Sequence, residues 1–172
     1  MTDLVNDNFE DGEGELAIVF GDFHIPGKIH EIPQQFKELI TPNKVQYVIC
    51  TGNVGKSKET YSWIKSLAQV IYMVKGDQDD VVPWGTEEGI YNQLREYDSD
   101  IFISGYTHEY KTNKYEQKHF LNPGSITGVF SPLKKDPLPS FMVLEIKEKQ
   151  VDVYFYQLQN NEVKIKKTSI FK

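Results

Sequence analysis

Between positions 16 and 104, short apolar runs rich in β-branched residues punctuate the chain at Leu16–Phe20, Val45–Cys50, Val70–Val74 and Ile101–Ser104. Leu16–Phe20 contains no polar residue, the pattern of a strand covered on both faces. Between the runs the apolar spacing changes. Pro33–Ile40 predicts a short helix with Pro33 in its first turn, where a missing N–H is harmless. Ser57 caps a predicted helix to about Ala68, with Tyr61, Ile64 and Leu67 on one face. Thr86 caps another, in which Ile90, Leu94 and Tyr97 recur at helical spacing and Glu87 and Glu88 favour the positive end. Beyond position 104 only strand patterns remain: Tyr115–Leu121, Phe141–Ile146, Val151–Leu158 and Val163–Phe171. A tight turn at Lys147–Lys149, a hairpin turn at Asn160-Asn161 and an exposed proline-rich loop at Ser131–Ser140 separate them. Strand–helix alternation followed by a meander predicts an α/β fold, a two-sheet α/β sandwich flanked by helices.

Charge divides the chain in two. Residues 1–15 hold Asp3, Asp7, Glu10, Asp11, Glu13 and Glu15 with no Lys or Arg, so the net charge of −6 belongs to this tail and the rest is neutral. Residues 1–15 read as an acidic, disordered tail or an acidic docking arm, and residues 16–172 as one domain. A neutral body has no global electrostatic attraction for nucleic acid or anionic lipid. No apolar stretch nears the roughly 20 residues that span a bilayer, and the acidic start is the reverse of a signal peptide. The single cysteine, Cys50, lies in an apolar run and reads as an inert core thiol of a reducing compartment. The expected location is the cytosol.

Four short motifs stand where a predicted strand gives way to a loop: Gly21-Asp22-Phe23-His24, Gly52-Asn53, Gly76-Asp77-Gln78-Asp79 and Gly105-Tyr106-Thr107-His108. Open α/β sheets bind ligands at such strand ends. In this order the set resembles the calcineurin-like metallophosphoesterases, in which comparable loops surround two cations that activate a water and hold a phosphate. The resemblance implies a metal position made by Asp22, His24 and His108 with Asn53 as a weak fourth ligand, and a second with only Asp77 and Asn53. An Asp bridges both cations in the family; here that position is Asn53, and a neutral amide cannot offset the repulsion between them. The acid/base His is replaced by Gln78 and the first His of the last loop by Tyr106. The resemblance thus implies no catalytic residue, no cofactor, and at most one weakly bound Zn²⁺ or Mn²⁺. His30 and His119 match no motif position.

Further motifs narrow the resemblance: Gly21-Asp22-Phe23-His24-Ile25-Pro26, Cys50-Thr51-Gly52-Asn53, Val82-Pro83-Trp84-Gly85, Asn122-Pro123-Gly124-Ser125-Ile126-Thr127-Gly128 and Tyr154-Phe155-Tyr156-Gln157-Leu158. They are similar to the phosphoesterase-like subunits of retromer, an endosomal cargo-sorting coat, from about Leu16 to Phe171. This implies a non-catalytic scaffold, cytoplasmic and peripheral on endosomes, without nucleic acid or membrane insertion. Its helical-solenoid partner would meet Val81, Val82, Pro83 and Trp84. Regulators of the Rab GTPase-activating type would meet Leu16, Leu39, Ile40, Val143, Tyr154, Tyr156, Val163 and Ile165, although ordinary core is the other reading of these residues. Family members carry two strands and a lone His before the Pro-Trp-Gly motif, whereas here Asp80 runs directly into Val81. Two other readings compete: a residual metal-dependent phosphodiesterase on the five candidate ligands, and a phosphate sensor with Asn122-Pro123-Gly124-Ser125 as an anion cradle.

Overall fold

A computed structural model describes residues 14–76, 79 and 99–171. Strand β1 (Glu15–Phe20) is followed by α1 (Gln34–Leu39), β2 (Tyr47–Cys50), α2 (Lys58–Leu67), β3 (Val70–Met73) and β4 (Ile101–Ile103). An all-β half completes the chain: β5 (Tyr110–Tyr115), β6 (Lys118–Pro123), β7 (Ser140–Ile146), β8 (Gln150–Gln159) and β9 (Glu162–Phe171). Six strands form one sheet in the order β3-β2-β1-β7-β8-β9, and three form another in the order β4-β6-β5. The pairs β1–β2 and β2–β3 are parallel; β7, β8 and β9 join antiparallel.

Strand alternation divides the core. Ile18 and Phe20 point to one face with Val143, Tyr154 and Tyr156, and there meet Phe36 and Ile40 of the α1 segment and Ile64 and Leu67 of α2. Ala17 and Val19 point to the other with Met142, Val153 and Phe155, against Leu121 and Ile103 of the smaller sheet. Strand β1 is therefore buried on both sides, as its unbroken apolar run predicts. Ser57 caps α2, its Oγ accepting from the Thr60 N–H at 3.1 Å, and Trp63 packs on Phe20 with centroids 5.8 Å apart. The observed architecture is the predicted two-sheet α/β sandwich, with the described helices on the outer face of the larger sheet.

Three details depart from expectation. Pro33 stands at the cap position of α1 rather than inside its first turn. The predicted strand Tyr115–Leu121 is interrupted by a hairpin turn at Glu116 and Gln117, so that Tyr115 ends one arm and Lys118–Pro123 forms the other. The first arm, β5, was not predicted, because Tyr-Lys-Thr-Asn-Lys-Tyr carries little apolar signal. It lies at the edge of the small sheet, where polar side chains remain solvated. The expected helix after Thr86, the Asp80–Val81 join, Asp77, Gln78, Val81–Trp84 and residues 1–13 lie outside the described residues.

Candidate metal centre

The loops that leave β1, β2, β3 and β4 converge at one end of the sheets and are laced together by backbone hydrogen bonds. The Asp22 N–H donates to the Gly52 carbonyl at 2.9 Å and the His24 N–H to the Asn53 carbonyl at 2.8 Å. Gly52 and Gly76 touch so closely that a Cβ on Gly52, at φ +94°, would lie 2.5 Å from the Gly76 nitrogen. Five site residues occupy left-handed backbone: Asp22 at φ 50°, His24 at 52°, Asn53 at 56°, Tyr106 at 81° and His108 at 58°. Few non-glycine residues do so, and such positions gather where surrounding contacts over-determine the backbone.

These contacts aim three side chains at one point. The Asp22 carboxylate is fully buried. Its Oδ1 accepts from Asn53 Nδ2 at 2.8 Å and its Oδ2 from the Tyr106 N–H at 3.1 Å. His108 Nδ1 lies 2.7 Å from the Val129 carbonyl, which can only accept, so the proton sits on Nδ1 and Nε2 is left as the ligand atom. That Nε2 is 3.3 Å from His24 Nε2 and 3.5 Å from Asp22 Oδ1. Among the described residues this trio is the cluster whose ligand atoms all lie within 4.8 Å of one another. Two imidazole nitrogens bound tetrahedrally to one Zn²⁺ at about 2.0–2.1 Å would stand roughly 3.3 Å apart, so the donor set fits one such ion.

The remaining candidates are placed differently. Asn53 turns its N–H toward Asp22, and its Oδ1 faces Gly76, where an added Cβ would come within 2.1 Å of it. As oriented its N–H supports the Asp22 carboxylate. Asp77, the other group expected at the second position, lies outside the described residues. Asp79, the last residue of the third motif, accepts from the N–H groups of Gly55 at 3.0 Å, Gly76 at 3.2 Å and Val54 at 3.4 Å, tying the second and third loops together. The loop after β6 also carries more than its sequence signals. Ser125 Oγ donates to the Asp22 carbonyl at 2.7 Å and accepts from the Val129 N–H at 3.1 Å, so one hydroxyl braces both the Asp22 and the His108 loops. The same contacts overturn the phosphate cradle. Asn122–Ser125 are buried, the Gly124 N–H is used by Asn122 Oδ1, and the Ser125 hydroxyl is engaged. Burial pushes the Cys50 thiol up to about 12, making it the inert core group expected.

The second candidate patch is largely interior. Leu16, Ile40, Val143, Tyr154 and Tyr156 are buried in the core beneath the helices, with Leu39 and Val163 packed against them, while Ile165 is exposed. Around the metal loops, by contrast, Tyr106, Phe130, Leu133 and Leu138 are exposed apolar residues. Leu138 and His108 share the wall of a cleft of about 160 Å³.

The calcineurin-like phosphoesterase superfamily domain matches residues 84–149. Wild-type Vps29 from Entamoeba histolytica, solved as a complex with Zn²⁺, is 37% identical over 90% of this chain and 98% of that one, with a TM-score of 0.79. The chain belongs to the Vps29 family. Vacuolar protein sorting 29 from Cryptosporidium parvum superposes with a TM-score of 0.85 at 29% identity, over 94% of this chain and all of its own. Vacuolar protein sorting-associated protein 29 of Schizosaccharomyces pombe is 29% identical over 88% of this chain and 96% of its length. The sandwich is accordingly of the metallophosphoesterase type, and the trio lies in the Vps29 loops that the motifs marked.

Proposed function

We propose that this protein is a non-catalytic scaffold subunit of retromer, which docks a helical-solenoid subunit through the face bearing the altered metal loops and recruits regulators to endosomal membranes for retrograde transport. One observation carries the non-catalytic part. The position that must supply a bridging anion holds Asn53, whose amide donates to Asp22. Two cations a few ångströms apart require negative charge between them. The preserved trio suits one structural Zn²⁺ or Mn²⁺, which would neutralise Asp22 and hold the β1 and β4 loops together. The exposed apolar residues Tyr106, beside the trio, and Leu138, which shares a cleft with His108, support docking at this face, with Phe130 and Leu133 exposed nearby in sequence. Of the acidic tail proposed at residues 1–15 and the domain at 16–172, the boundary moves by one residue, because Glu15 opens β1 and pairs with Ile146.

Titration calorimetry against the solenoid subunit tests this reading, with Leu133→Asp and Val82→Asp beside the wild type. A charge buried without a partner costs about 3–5 kcal/mol, enough to abolish micromolar binding. Binding lost in both variants is expected; a folded wild type that does not bind would refute the scaffold. The preserved trio also motivates a second reading, a residual phosphodiesterase. It requires Mn²⁺-dependent turnover of an activated phosphodiester above the metal blank, abolished by His24→Ala.

A further inference from the structure

The two edges of the large sheet are built differently. At one edge, β9 carries Lys164, Lys166 and Lys167, all exposed, and lysines on an edge repel a second strand. At the other, β3 pairs with β2 and with no other described strand. Its run Val70-Ile71-Tyr72-Met73-Val74 holds no charge, proline or glycine. The ladder to β2 continues to the end of that run, where the Val74 N–H donates to the Cys50 carbonyl at 3.0 Å. Val70, Tyr72, Met73 and Val74 are 39%, 60%, 40% and 61% exposed. An uncharged, exposed apolar edge is a template for another strand.

The ladder fixes which groups are offered. Val74 turns its N–H toward β2, so Tyr72 and Val70 do the same, and Ile71 and Met73 turn theirs outward. The side chains of Val70, Tyr72 and Val74 share one face, where Tyr72 stacks on Tyr47 of β2 with centroids 6.4 Å apart. A strand docking here needs outward backbone groups in step with Ile71 and Met73, and an apolar stripe on the same face as Tyr72. A second β3 meets both conditions. Laid antiparallel about Tyr72, it sets Ile71 against Met73 of the second copy as a hydrogen-bonded pair, and Val70 against Val74. Gln69 then faces Lys75, whereas parallel pairing would bring Lys75 beside Lys75. We propose that a second copy of this chain docks on β3, edge to edge and antiparallel, joining their two large sheets into one. Such a contact uses the same patch on both copies and closes at two, and the lysines of β9 keep the free edges from adding more. Because the two β3 strands run in opposite directions, the metal loops of the two copies lie at opposite ends of the joined sheet.

Sedimentation equilibrium of the full chain tests the association, from micromolar to millimolar concentration. The mass should rise from monomer to dimer, and should stay that of the monomer in Tyr72→Lys, which sets two ammonium groups against each other at the centre of the joint. Disulfide trapping under mild oxidation reads the register. Tyr72→Cys alone should give a covalent dimer, since directly opposed residues have Cα atoms about 4.5–5.5 Å apart, within disulfide reach. Val70→Cys alone should not, because it faces Val74 of the second copy, whereas Val70→Cys/Val74→Cys should. Cys50 is buried and takes no part. A chain that stays monomeric at millimolar concentration overturns the proposal, as does a dimer that Tyr72→Lys leaves intact or an assembly that grows past two copies. Cross-linking of Val70→Cys alone as readily as Tyr72→Cys would overturn the antiparallel register.

Discussion

At the scale of the residue, the site depends on a single amide. Replacing Asn53 by Asp puts a second carboxylate where Nδ2 now sits 2.8 Å from Asp22 Oδ1, exchanging a hydrogen bond for repulsion. Asn53→Asp is expected to lower the metal-free melting temperature by roughly 3–10 °C at neutral pH. Millimolar Mn²⁺ or Zn²⁺ should restore it, as differential scanning calorimetry can record; equal melting in both conditions would show that position 53 does not govern metal occupancy. The Asp22, His24 and His108 positions were legible because each follows an apolar run and a glycine. Ser125 and Thr127 were not. They act on Asp22 and Phe23 carbonyls more than a hundred residues away, through hydroxyls that no local pattern distinguishes from ordinary turn residues.

At the scale of the element, β7, β8 and β9 are tied by an ionic network built on two buried carboxylates, Glu145 and Asp152. Glu145 of β7 meets Lys147 at 3.1 Å and accepts from the Tyr154 hydroxyl at 3.2 Å. Asp152 of β8 accepts from Gln150 and Ser169, and pairs with Lys147 and Lys167 at 3.3 Å. Burial alone would raise the Asp152 carboxyl, but those four partners hold it down to about 2. Because the folded value is depressed, its stabilising contribution is present above the unfolded value of 3.8 and is lost as pH falls toward 2. In urea unfolding, Asp152→Asn should cost about 2 kcal/mol at pH 7, with the gap to wild type closing between pH 4 and pH 2. A pH-independent gap would assign the loss to packing. The strands in this network were readable from their apolar and β-branched runs between turn signals. Strand β5 was not, because its Lys, Thr and Asn side chains answer to solvent and carry no apolar period.

At the scale of the molecule, the two halves of the core are opposite faces of the same strands. Ile18 and Val143 serve the helical side while Ala17 and Met142 serve the small sheet, so neither layer can leave without exposing β1 and β7. Unfolding should therefore be one cooperative step. In a Trp84→Phe background, Trp63 emission reports the helical face and far-UV circular dichroism both sheets; their urea midpoints should coincide. Separated midpoints would mean that the small sheet melts alone. The unbroken apolar runs that mark doubly covered strands were visible in the sequence, but which layer each face meets was not, since that depends on crossover connections rather than on local pattern.

The left-handed backbone at position 53 has a consequence for how such a protein changes over generations. At φ 56° the residues that fit with least strain are Gly, Asn and Asp. An exchange of Asp for Asn there removes the charge a second cation needs while the loop keeps its shape. A β-branched replacement would disturb the loop itself, and with it the surface offered to a partner. The geometry of this turn thus channels drift: catalysis can lapse in a single conservative step, whereas the architecture resists every step that would erase it.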